Sequence, residues 1–179
     1  AEQIAAGLKI QDARGYTRFV ASQPQYSMLW RVIESQVAPL CEKEGIGHVV
    51  WSPIAQGVLT GKYLPGKKPP AGSRATDKKY GAGMISRWMR DEVLEAVQKL
   101  APIAQDLGIS MSQLALAWTL ANPQVSSVIM GATKPSQVKE NAKAAGVKLT
   151  AEQISAIDKA LGNLPERSAE KTQSPNPRP

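Results

Sequence analysis

Three short apolar runs, at residues 18–22, 48–51 and 126–130, are separated by stretches with helical spacing. That alternation restricts the fold more than any other feature of the chain. Strands with helices between them pair in parallel, because each crossover returns the chain to the same end of the sheet. The expected class is therefore α/β. The run at 48–51 ends in Trp51 and is halted by Ser52-Pro53. A short apolar run bounded by turn residues reads as a strand buried on both faces. Pro53 has no N–H to give to a ladder, so the strand stops there.

The intervening segments carry the helical period. Residues 1–13 read as a helix with Ile4 and Leu8 on one side and Gly15 as its stop. Residues 29–44 read as a second, with Val32, Ile33, Val37 and Leu40 on one side and Pro39 as a kink or break. Helical pattern returns at 87–107, interrupted by Pro102, and at 111–120, where Ser110 suits an N-cap. It appears again at 134–145, stopped by Gly146, and at 150–161, opened by Thr150 with a capping-box Gln153. Residues 52–86 are irregular and rich in Pro and Gly. A loop that long inside a compact domain is usually functional or mobile. Three strands cannot close a barrel, and five or six helices exceed what three strands need for cover. The expectation is part of something larger: one domain over 1–164 and a flexible polar, proline-rich tail over 165–179.

Composition narrows the function. The chain has 179 residues, 42% of them hydrophobic and 21% charged, as in an ordinary globular domain. No apolar run approaches the roughly 18 residues that span a bilayer, and no signal-peptide pattern opens the sequence. Cys41 is the only cysteine and His48 the only histidine, which leaves no cysteine- or histidine-based metal set and fits a reducing cytoplasm. His48 precedes a strand's amino end and reads as structural; Cys41, Trp30, Trp88 and Trp118 read as packing. The formal charge of +7 is concentrated: between 62 and 90 stand Lys62, Lys67, Lys68, Arg74, Lys78, Lys79, Arg87 and Arg90 against Asp77 alone. This segment is either a solvated loop or a phosphate-facing flap. No nucleic-acid-binding motif accompanies it.

Chemistry-bearing residues gather where strands end. Gln23 follows the first strand, Trp51-Ser52 the second, and Thr133 stands just past the third. In parallel α/β folds functional groups collect at carboxyl ends of strands. After Trp51, Gly57 and Gly61 permit close backbone approach to a ligand, and Lys62 adds a cation. Residues 131–137, Gly-Ala-Thr-Lys-Pro-Ser-Gln, join the third strand to a helix. Free N–H groups at a helix start attract an anion. Gln137, Glu140 and Asn141 share one side of that helix and suit a sugar edge or an adenine. An ordinary capped helix would read the same way.

These motifs, in their order and spacing, resemble the aldo-keto reductases. The resemblance rests on Ser22-Gln23-Pro24-Gln25-Tyr26-Ser27, on Trp51 to Gly57 with Leu59-Thr60-Gly61-Lys62-Tyr63, on Ser73-Arg74, on Gln113 to Trp118, and on Gly131-Ala132-Thr133 with Gln137, Glu140 and Asn141. It is strongest to the branch that includes voltage-gated potassium channel beta subunits and bacterial reductases. It implies a partial (β/α)8 TIM barrel, roughly the last three βα units, and NADPH-dependent reduction of aldehydes or ketones. It further implies that Gln23 holds the nicotinamide amide and that Trp51 stacks on its ring. Ser52, Ile54, Gln56, Gly57 and Lys62 would line the pyrophosphate. Arg74, Thr133 and Gln137, with Gly131 in the same turn, would surround the 2′-phosphate, and Glu140 and Asn141 the adenine. The family's catalytic Asp, Tyr, Lys and His have no counterpart here; Tyr26, Lys62 and His48 match other positions. The implied partners are a carbonyl substrate and either a missing amino-terminal half or further copies of the chain, with no nucleic acid and no membrane. The alternative is a non-catalytic half-barrel that binds nucleotide or assembles with a partner.

Overall fold

A computed structural model describes residues 1–172. The chain opens on helix α1 (Glu2–Arg14), closed by Gly15 in the left-handed conformation. Strand β1 (Ala21–Ser22), helix α2 (Val37–Lys43) and strand β2 (Gly47–Trp51) follow. The long connection after β2 holds short 3₁₀ turns and helix α3 (Gly81–Ile85). Then come α4 (Asp91–Gln98), α5 (Ala101–Asp106), α6 (Met111–Leu120), strand β3 (Val125–Ile129), α7 (Pro135–Ala142) and α8 (Ala151–Leu161). The strands form one parallel sheet in the order β1-β2-β3. The α/β class is therefore as the sequence implies, with the strand ends that carry chemistry on one rim. No described helix is long and apolar enough to cross a membrane.

The capping chemistry is where the sequence places it. Ser110 accepts from the Gln113 N–H while the Gln113 side chain accepts from the Ser110 N–H, and Thr150 and Gln153 repeat the exchange on α8. Each box satisfies two donors that a helix start leaves free. Pro102 sits in the first turn of α5, where a missing N–H is harmless, so the expected 87–107 helix is split there.

Four expectations are corrected. The first strand is two residues long, because pairing starts only where β2 does: Ala21 faces Gly47 and Ser22 faces His48. The helix expected over 29–44 shrinks to α2. Ser27 and Trp30 bond each other's backbone, and the Leu29 and Arg31 backbone groups are taken by Glu166 at 2.9 and 2.8 Å. With those groups committed, no helical ladder can run through 29–31. Pro39 then falls in the first turn of α2. The third correction concerns the tail. Pro165 is buried, Glu166 pairs with the 29–31 backbone, and Arg167 reaches Glu34 at 2.9 Å. Polar composition is outweighed there by these specific partners; the remainder of the expected tail, 173–179, lies outside the described residues. Fourth, β2 is not buried on both faces. His48 and Val50 point into the core, whereas Trp51 is 39% exposed and its partner Ile129 43% exposed. One face of the sheet is open in this chain.

The covered face carries the core, which includes Leu29, Val50, Leu59, Leu114 and Ile157. Trp30, Trp88, Trp118 and Cys41 are buried, as expected of packing residues. A polar knot crosses this core. Arg31 lies between Glu34 at 2.7 Å and Asp158 at 2.6 Å, with its guanidinium 4.8 Å from the centre of the Trp118 ring. Burial, then the Glu34 charge, pushes the Tyr26 hydroxyl's pKa up, and that hydroxyl donates to Glu34 at 2.8 Å.

Candidate functional site

A cleft of about 1200 Å³ runs along the carboxyl ends of β2 and β3. Three walls form it: the chain leaving β2, the flap around 72–84, and the turn from β3 into α7.

The first wall begins at Trp51, the last residue of β2. Beyond it Ser52, Ala55 and Gln56 take positive φ of 57°, 46° and 55°; among the described residues they are the only non-glycine ones to do so. Left-handed backbone disfavours L-residues, and such outliers cluster at functional sites. Gly57 follows at φ 103°, and a Cβ there would lie 3.2 Å from the Lys62 Nζ. Glycine thus lets the lysine fold back over the loop. The wall is fixed from α4, where the Gln98 Nε2 donates to the Gly61 and Tyr63 carbonyls at 3.0 and 3.2 Å.

The flap is built around one carboxylate. Asp77 accepts from the N–H groups of Lys79, Tyr80 and Gly81 at 3.0, 3.4 and 3.1 Å. Gly81 packs on the Arg74 backbone so closely that no Cβ would fit. Arg74 itself has no carboxylate partner among the described residues; its Nη1 lies 3.9 Å from the Met84 sulfur. Asp77 is fully committed to the backbone, so Arg74 and Lys62 are the cleft's free cations on this side.

In the third wall Gln137 accepts from the Thr133 N–H at 2.7 Å and from its hydroxyl at 3.2 Å. Glu140 pairs with Lys143 at 2.8 Å, and its carbonyl accepts from Gln113 at 2.7 Å. That last bond ties α7 to α6.

Two buried polar atoms on this cleft have no partner in the protein: the Gln56 Oε1 and the Ser73 Oγ. Buried polar atoms are nearly always satisfied, so two orphans on residues that line one cleft set its wall apart from the rest of the fold.

Of the thirteen site residues expected from sequence, the cleft brings together twelve: Trp51, Ser52, Ile54, Gln56, Gly57, Lys62, Arg74, Gly131, Thr133, Gln137, Glu140 and Asn141. Gln23 is not among them. It lines a neighbouring cavity of about 410 Å³ with Gln25, Lys171 and Thr172, and Trp51 is shared by both spaces. Several lining residues escaped the sequence reading. Tyr80 and Met84 come from a flap with no period to flag them, and Ser110 and Ser112 read only as a helix start. Ser73 entered only as the neighbour of Arg74.

His48 lies away from the cleft. Its side chain is 0% exposed and neither ring nitrogen has a partner. Burial holds its pKa below the ordinary histidine value, with nearby Gln124 opposing.

Residues 5–161 match the profile of the Aldo/keto reductase family. The chain belongs to that family. It is 40% identical over 171 residues to a probable voltage-gated potassium channel subunit beta of Oryza sativa subsp. japonica, covering 94% of this chain and 52% of that protein. An Arabidopsis thaliana protein of the same description is 41% identical over 170 residues, covering 93% of this chain and 51% of its own. A putative voltage-gated potassium channel subunit beta of Schizosaccharomyces pombe is 45% identical over 150 residues, covering 82% and 43%. The chain spans about half the length of the curated relatives it matches. The family profile runs from within α1 to the end of α8, and all twelve cleft residues lie within it.

Proposed function

We propose that this chain supplies the cofactor wall of an NADPH-dependent reductase of aldehydes and ketones. In this reading its three strands are the last three of a (β/α)8 barrel. One observation carries the proposal: residues scattered between 51 and 141 line a single cleft with an exposed indole at one end. The residues present fit the cofactor. The cleft is lined by three cations without carboxylate partners among the described residues, Lys62, Arg74 and Lys134, and by the two residues with orphaned polar atoms, Gln56 and Ser73.

The nicotinamide cofactor, when bound, supplies the hydride. The protein binds and orients. Trp51 offers a flat apolar face, and Gln23, across the same indole, supplies an amide for the carboxamide. Lys62 neutralises pyrophosphate charge. Arg74 suits the 2′-phosphate, since a guanidinium can donate two parallel bonds to it. Gln137 holds the Thr133 turn in shape, and Glu140 and Asn141 face the adenine. A carbonyl becoming an alkoxide needs a positioned acid, worth about 10²–10⁴-fold in rate. None of the family's acid residues has a counterpart in this sequence, so residues beyond these 179 supply it. A reducing cytoplasm suits both the unpaired Cys41 and the cofactor.

The test is turnover in the full-length protein. Reduced-nicotinamide absorbance should fall when a panel of aldehydes and ketones is added, faster with NADPH than with NADH. Arg74→Ala should erase that preference. A second reading is supported by the bare sheet face at Trp51 and Ile129. Here the chain binds NADPH without turning over and assembles with a partner, as the names of its relatives, channel beta subunits, suggest. Saturable NADPH binding with no carbonyl consumed across the panel would favour it.

A further inference from the structure

The basic segment divides into groups with different roles. Of its eight cations only Lys62 and Arg74 line the cleft. Arg87 lies over the rings of Trp30 and Trp88, at 4.8 and 5.9 Å, and Arg90 pairs with Glu92. Four remain: Lys67, Lys68, Lys78 and Lys79. All four are exposed, and among the described residues none pairs with a carboxylate. None lines the cleft either. Yet two of them sit within the flap that forms its second wall, and Lys79 lies over the ring of Tyr80, itself a lining residue. The acids nearby are fewer and engaged elsewhere: Asp77 and Asp91 accept from backbone N–H groups and Glu140 pairs with Lys143, which leaves the segment net positive.

Four unpaired positive charges beside a cleft, with no neutralising partner and no contact with its contents, have one physical outlet. They shape the field outside the mouth. We propose that Lys67, Lys68, Lys78 and Lys79 steer the polyanionic cofactor into the cleft, setting how fast it arrives and leaving how long it stays to Lys62 and Arg74. The inference rests on the cofactor reading above. Fields of this kind raise association rates by about 10–10³-fold and fade with salt, because the Debye length shrinks from about 30 Å at 0.01 M to about 8 Å at 0.15 M. Charges that never touch the ligand act on the encounter, whereas those that do act on dissociation.

The experiment is stopped-flow binding of NADPH to the full-length protein, followed by tryptophan fluorescence at low and high salt. The wild type is compared with a variant carrying Lys67→Gln, Lys68→Gln, Lys78→Gln and Lys79→Gln. Exposed sites tolerate this change, and an unaltered thermal midpoint checks it. At low salt the association rate constant should fall about tenfold, the dissociation rate constant should not move, and at high salt the two proteins should converge. Replacing the same lysines by glutamate should deepen the loss. Unchanged association at low salt, or a change confined to dissociation, overturns steering while leaving the cofactor reading in place. No saturable NADPH signal in the wild type overturns both.

Discussion

At the scale of single residues, the sharpest tension is at Gln56. It holds φ 55° and buries an unpartnered Oε1. A left-handed L-residue costs roughly 1–2 kcal/mol, and an unsatisfied buried acceptor about 1–3. Gln56→Gly removes both while adding some unfolded-state entropy. The variant should unfold about 1 kcal/mol harder, read from denaturant midpoints, and bind NADPH more weakly. A destabilised variant would show that the side chain packs usefully without ligand. His48 has a pH signature. Its folded pKa is depressed by burial, so the unfolded chain takes up the proton first as pH falls. Its contribution is intact above the unfolded value near 6.5 and declines below it. Stability should therefore drop as pH falls below about 6.5, and His48→Gln should flatten that slope. Legibility at this scale followed chemistry. Trp51, Lys62 and Thr133 drew notice because an indole, a cation and a hydroxyl stand at or just past strand ends, whereas Arg74 was given a role only by the family resemblance. The left-handed run at Ser52, Ala55 and Gln56 was hidden, because those residue types do not announce positive φ.

At the scale of elements, local signals were reliable wherever the chain satisfies itself. The capping box of α8 was readable from four residues and the start of α6 from its Ser110 N-cap, though the Gln113 half of that second box was not. Ser110→Ala should cost about 1 kcal/mol of stability, measured by thermal denaturation. It should also loosen the cleft, since Ser110 lines it and the Gln113 of that box holds the Glu140 carbonyl. Where distant segments intervene, sequence reading failed. The apolar period at 29–44 is real, yet the backbone of Leu29 and Arg31 is claimed by Glu166, more than a hundred residues away. The same bonds explain why 165–172 is not a loose tail. Nothing in the composition of either segment encodes the other.

At the scale of the whole molecule, the open face of the sheet sets the limits. Val49, Trp51, Ser127 and Ile129 share that face by register, and two of them are large and exposed. A parallel sheet is ordinarily covered on both sides, which agrees with a chain that spans about half the length of its relatives. The carboxyl rim is nonetheless assembled within these residues, because β2, β3 and their following segments are all present. On the proposed reading, cofactor binding is separable from catalysis in this chain. The direct check is a titration of NADPH and NADH into the protein, followed by the fluorescence of Trp51 against a Trp51→Phe control. Saturable quenching is expected, about tenfold tighter for NADPH, since one Arg–phosphate contact is worth roughly that much. Arg74→Ala should bring the two cofactors level. Quenching that never saturates, or equal affinity for both cofactors in the wild-type protein, would contradict the account.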